Sequence, residues 1–152
     1  MTVRTSAGST IAISAATPAT FDEVGYAALS FTNIGEVTDL GEFGREYALV
    51  THNPIATRGT VKRKGSYNEG SMDLKLGLDN NDAGQIIASS ASESDADHSI
   101  KLTLQDGSVY YFQAQVMSFK VNVGSVDNVT AASIKLELTT APDGTGVVEV
   151  PA

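Results

Sequence analysis

The chain has 152 residues, enough for one domain with its own core, and 41% of them are apolar against 18% charged, which excludes a disordered polymer. Ser, Thr and Gly are abundant and only one stretch has the spacing of a long helix, so an all-helical fold is excluded and short strands joined by turns are expected. Ten basic against 18 acidic residues leave a net charge of −8, which disfavours adhesion to nucleic acid, and the lack of cysteine excludes disulfides, thiolate metal sites and thiol catalysis.

Residues 1–20 read as an N-terminal arm with one strand signal, Ile11-Ala12-Ile13, closed by Thr17-Pro18. The arm has no continuous apolar stretch of the secretory kind, and nothing later approaches the ~20 apolar residues of a membrane span, so membrane binding is not expected. Residues 41–58 are punctuated by Gly41, Gly44 and Pro54 yet carry Phe43, Tyr47, Leu49, Val50 and Ile55. Such a segment is either a docking loop or, over Tyr47 to His52, a plain core strand. On the first reading Phe43, Arg45, Tyr47, Leu49, His52, Ile55 and Arg58 are the candidate contact residues.

From Thr57 the strand pattern is regular. Thr57 to Lys64 is followed by a turn through Gly70, then Met72, Leu74, Leu76 and Leu78 alternate with polar residues, which puts one face in a core. Asp79 to Asp82 offers side-chain acceptors for the amides of a helix over Asp82 to Ser92. Ile100, Leu102 and Leu104 lead into Asp106-Gly107, a tight hairpin turn. The return strand keeps Phe112, Ala114 and Val116 on one face and then switches phase to Met117, Phe119 and Val121, which predicts a bulge near Val116 to Ser118. Ala132, Ile134, Leu136 and Leu138 alternate in the last long strand, and residues 142–152 form a Gly/Pro-punctuated tail that a neighbour would order. No second domain or repeat is visible. The expected fold is mainly β: two packed, largely antiparallel sheets, a β-sandwich or barrel with one flanking helix.

No catalytic constellation emerges. Asp79-Asn80-Asn81-Asp82 begins like a calcium loop, but Ala83 and Ser90 stand where ligands are needed, so helix capping accounts for it. His52 and His98 lack the setting of a catalytic base and read as surface histidines, and Gly144-Thr145-Gly146 has no following helix to make a phosphate site. No metal, cofactor or enzymatic activity is expected. A monomeric β-sandwich binding or adhesion module is the alternative class, although the chain has no Trp to build a stacking platform.

At Lys64-Gly65-Ser66, Gly70, Leu74, Leu76, Asp79, Asp82, Gly84-Gln85, Ala91, Leu102-Thr103-Leu104, Asp106-Gly107, Phe112, Ala114, Val116, Ser118 and Gly124-Ser125-Val126-Asp127, the chain resembles the major tail tube proteins of long-tailed, siphovirus-like bacteriophages. The resemblance spans roughly residues 35–140 and rests on the order and spacing of turns, strand faces and a helix cap rather than on one motif. It implies a single tail tube domain whose copies form hexameric rings. The rings would stack into the conduit for the genome in the virion tail, after synthesis in the bacterial host cytoplasm. It also implies, as partners, other copies of itself and tail proteins such as the tape measure, terminator and tail-tip proteins, with double-stranded DNA only as transiting cargo.

A conduit must not hold DNA, so its lining should be acidic or balanced. Asp73 with Lys75, and Lys135 with Glu137, are candidate lining positions. Lys62, Arg63 and Lys64 are the test case: alternation puts Lys62 and Lys64 on one face and Arg63 on the other, and whichever faces the lumen should have a carboxylate in reach, in its own subunit or the next.

Overall fold

The computed structural model describes residues 3–152; Met1 and Thr2, at the start of the expected arm, lie outside the described residues. In chain order the elements are β1 (Thr10–Ser14), α1 (Glu23–Ala27), β2 (Thr32–Asn33), β3 (Val37–Asp39), β4 (Glu46–His52), β5 (Val61–Asn68), β6 (Ser71–Gly77), α2 (Ala83–Ser92), β7 (His98–Thr103), β8 (Val109–Asn122), β9 (Ala131–Thr139) and β10 (Val148–Val150). The chain is mainly β and antiparallel. The order β2-β1-β7-β8-β9-β6-β3 makes one curled sheet, a half-barrel, rather than two separate sheets, with β10 added beside β8. The 14-residue β8 is long enough to pair β7 over its first half and β9 over its second. One strand thereby serves both sides of the curl.

The core lies inside that curl. Ile11 and Ile13 of β1, Met72, Leu74 and Leu76 of β6, Ile100 of β7, Phe112 of β8 and Ile134 and Leu136 of β9 are all essentially inaccessible, and Ala88 and Ala91 of α2 close over them. The expected phase switch in β8 is a bulge at Met117: Val116 pairs Leu136 but Ser118 pairs Lys135, so Phe119, opposite Ile134, returns to the core side. The Asp106-Gly107 turn also forms. Only Gly107 takes a positive φ, of 94°, so it is a type I turn closed by a left-handed glycine.

The helix over 83–92 follows from its cap. Asp82 Oδ2 accepts from Gln85 N–H and also from Gly35 N–H, each at 3.0 Å, so one carboxylate satisfies the helix start and anchors the loop before β3. Gln85 is buried and donates from Nε2 to Gly35 O and Gly77 O, while its Oε1 accepts from Asp79 N–H. These bonds account for the acidic run that resembled a calcium loop.

The strand expected at Ile11-Ala12-Ile13 forms as Thr10–Ser14, paired between β2 and β7, and Ile11 and Ile13 are core residues. Three expectations need correction. Among the described residues there are two helices, not one: α1 is a single turn capped by Asp22, and Gly25 is required there because a Cβ would clash with Thr20 O. Tyr26 of α1 stacks on Tyr111 at 5.2 Å and 9° and accepts from Gln113 Nε2, so α1 seals the sheet face opposite α2. His98 is buried rather than a surface residue, with Nδ1 at 3.1 Å from Ala96 O, and part of the 142–152 tail is ordered within its own subunit as β10.

Candidate functional site

Among the described residues β4 and β5 pair only with each other. Every residue of β4 is exposed, and of β5 only Gly65 is partly covered. Tyr47 to His52 is therefore a strand, as one of the two readings of 41–58 held, but it contributes nothing to the core: it is half of a hairpin standing out from the body. Leu49 is 67% exposed and Ile55, at the tip, fully so. The register pairs Tyr47 with Tyr67, Leu49 with Lys64 and Thr51 with Lys62 on one face, and Val50 with Arg63 and His52 with Val61 on the other. A bulge opposite Ala48 inserts Gly65-Ser66, and Gly65 is fitted to it, since a Cβ would crowd Val50 Cγ2 at 2.9 Å.

The hairpin is held at its root by polar contacts. The Arg45 guanidinium bonds Glu69 Oε1 through Nη2 at 2.7 Å and Nε at 2.9 Å, and lies 3.8 Å from the centre of the Tyr67 ring. Its Nη1 donates to Tyr47 Oη at 3.3 Å, and that contact, with Glu69, raises the Arg45 pKa. Tyr47 and Tyr67 meet edge to face at 5.6 Å, and Lys64 Nζ sits 4.8 Å from the Tyr47 ring centre. Glu69 is buried, and Gly146 is needed beside it because a Cβ there would clash with Oε1. A two-stranded hairpin without a covered face is marginal alone, and these contacts fix its point of departure.

Charge is divided as unevenly as burial. Residues 45–64 hold five of the ten basic side chains, Arg45, Arg58, Lys62, Arg63 and Lys64, against one carboxylate, Glu46, a local charge of +4; the rest of the chain has five basic against 17 acidic residues, or −12. Among the described residues none of Arg58, Lys62, Arg63 and Lys64 forms an ion pair, so the carboxylate expected near Lys62 or Lys64 is not in their own subunit.

The structure splits the sequence candidates into two groups. Arg45, Tyr47, Leu49, His52, Ile55, Arg58, Lys62, Arg63 and Lys64 belong to the hairpin and its tip. Phe43 does not: its ring packs on Tyr110 and Phe112 at 5.4 and 5.7 Å, against the core. Asp73, Lys75, Lys135 and Glu137 lie on the face of β6 and β9 turned away from the core, where Asp73 pairs Lys135 in register and Lys135 Nζ is 3.7 Å from Glu137 Oε1. That face is polar and balanced. A further exposed apolar group, Met117, Val121, Val123, Val126 and Val129 around the β8–β9 turn, was not among the candidates; its signal was the surplus of Val beyond the core pattern. Among the described residues no three His, Cys, Asp or Glu side chains are grouped to hold a metal ion, and no helix is long and apolar enough to cross a membrane.

No family model matches this sequence, and no curated protein does. Solved structures do match in fold over nearly the whole chain. A chain of the sheath/tube terminator of an extracellular contractile injection system, PVC, in its extended state superposes with a TM-score of 0.71 at 8% identity, covering 99% of both chains. A chain of the baseplate of the anti-feeding prophage (AFP) gives 0.68 at 10% identity over 99% of this chain and 97% of that one. A chain from the tail of an empty GTA particle gives 0.66 at 10% identity, over 91% and 96%. The curled sheet is thus a fold found in tail and injection assemblies, and it does not single out long-tailed bacteriophages.

Proposed function

We propose that this chain is a structural, non-enzymatic tail tube subunit, which assembles with copies of itself into six-membered rings stacked as a conduit for double-stranded DNA in a phage or phage-like tail. The observation that carries this is the exposed apolar and cationic β4–β5 hairpin, which adds nothing to the core of the body it stands on. The full-length likeness in fold to chains of tail-like assemblies supports it. In this reading the hairpin engages a neighbouring subunit, in the same ring or the next. The polar face of Asp73, Lys75, Lys135 and Glu137 lines the channel, where balanced charge lets a polyanion slide. Tape measure, terminator and tail-tip proteins are the partners at the tube's interior and ends.

Concentrating the purified chain, alone or with tail-tip proteins, and imaging it by electron cryomicroscopy tests this. Sixfold rings and stacked tubes are expected, because a closed ring satisfies every lateral contact. A chain that stays monomeric under both conditions refutes it.

A further inference from the structure

Beside the point where the hairpin leaves the body, the half-barrel has an open end. A cavity of about 480 Å³ lies there between β1, β7, β6 and the segment from β3 to Phe43. Its floor is apolar, with half-buried Val37, Leu40, Phe43 and Leu104 lying over the fully buried Ile11 and Leu102. Two exposed carboxylates, Asp39 and Glu42, stand on its rim, and neither pairs with a cation in its own chain among the described residues. The rim is fixed rather than loose: Gly41, at φ 69°, donates from N–H to Asp39 Oδ1 at 2.8 Å and lies so close to β6 that a Cβ would meet Asp73 O at 2.8 Å.

The geometry points to this groove as the acceptor for the β4–β5 hairpin of a second copy of the chain, with Leu49 and Ile55 covering its apolar floor and Arg58, Lys62 and Lys64 meeting Asp39 and Glu42. The inference rests on the hairpin reading above and adds the surface that receives it. Two features select another copy over other occupants. The hairpin has exposed apolar side chains and unpaired cations, the groove has an unfilled apolar floor and unpaired carboxylates, and the overall division of charge, +4 against −12, attracts hairpin to body. Donor and acceptor are also different patches of one molecule. Such a contact is heterologous, so each bound copy presents a fresh hairpin and a fresh groove, and association runs on into a ring or a stack instead of stopping at a dimer.

Charge reversal tests the pairing on the full chain. Lys62→Glu/Lys64→Glu and Asp39→Lys/Glu42→Lys should each raise the concentration at which polymer appears by at least about tenfold. The four substitutions together should bring it back close to wild type, and thermal unfolding of the Lys62→Glu/Lys64→Glu monomer should be unchanged. Because the chain has no cysteine, Ile55→Cys with Thr38→Cys should also give an oxidative ladder of linked subunits, whereas Ile55→Cys with Val126→Cys, on the β8–β9 turn, should not. If the lysine reversal blocks assembly while the Asp39/Glu42 reversal does not, or the fourfold variant fails to recover, the acceptor is wrong and the hairpin reading stands. If the lysine reversal assembles like wild type, or the chain never polymerises, both fall. A ladder from the Val126 pair alone places the hairpin on the β8–β9 turn and overturns the groove.

Discussion

The curled sheet and the β4–β5 hairpin use the same strand vocabulary with opposite outcomes. β6 reads Ser-Met-Asp-Leu-Lys-Leu-Gly and buries every second residue, whereas β4 reads Glu-Tyr-Ala-Leu-Val-Thr-His and buries none. The difference lies in what each strand meets. β6 is paired on both sides, by β9 and β3, and its apolar residues belong to the same core cluster as those of β1 and α2. β4 has one partner and no layer beneath it, so its apolar side chains remain on offer. A strand face is buried by its neighbours, not by its own sequence, and an apolar face the fold leaves open is a place for another molecule.

The largest effect that separates the two regions is in stability. Leu136→Ala should cost the isolated subunit about 2–5 kcal/mol, because Leu136 is wholly enclosed between β8 and β6. Leu49→Ala should change the same quantity by less than about 0.5 kcal/mol and act instead on assembly. Chemical denaturation of the two variants measures both, and similar losses would mean that the hairpin is part of the cooperative core after all.

A smaller effect concerns the hairpin's root. Arg45→Ala removes the cation that bonds the buried Glu69 and lies over the Tyr67 ring, and should loosen the root of the hairpin. The consequence should be local: amides of β4 and β5 exchange faster, while those of β6 and β9 keep their protection. Unchanged exchange in β4 and β5 would show that the hairpin is held elsewhere.

The same contrast governs what the sequence made legible. The alternation in β6 and β9, the Asp82 cap, the Asp106-Gly107 turn and the bulge at Met117 are all written in residues a few positions apart, and the structure contains each of them. The hairpin was ambiguous because Tyr47 to Val50 would look the same under a covering layer, and the presence of that layer is a long-range fact. β2 and β3, at two and three residues, are too short for any period to register. α1 had a legible cap in Asp22, but its single turn falls below the length at which helical spacing can be read. The groove was illegible for another reason: Ile11, Leu40, Phe43 and Leu102 come together only when β1, β7 and the post-β3 segment close the end of the half-barrel.

The smallest predicted effect compares the two hairpin turns. At the β7–β8 turn the Asp106 carboxylate accepts from Ser108 N–H at 2.9 Å, and this bond, helped by the Ser108 hydroxyl and by Arg4, holds its pKa below the ordinary carboxylate value. A folded pKa depressed in this way contributes stability that is present above the unfolded pKa, near 4, and is lost as pH falls through the folded value. The β4–β5 tip has no such carboxylate; its bonds are long ones, Thr57 N–H to Pro54 O and the Thr57 hydroxyl to Gly59 O, each at 3.4 Å. Asp106→Asn keeps an oxygen for Ser108 N–H but removes the titration, so stability at pH 7 should hardly move while the decline below pH 4 becomes shallower. Some slope must persist, because Asp22 caps α1 through Gly25 N–H and its pKa is lowered in the same sense. Denaturation midpoints measured from pH 2 to 7 on wild type and Asp106→Asn decide the point. Parallel curves would mean that the β7–β8 turn is no more coupled to folding than the exposed tip of β4–β5.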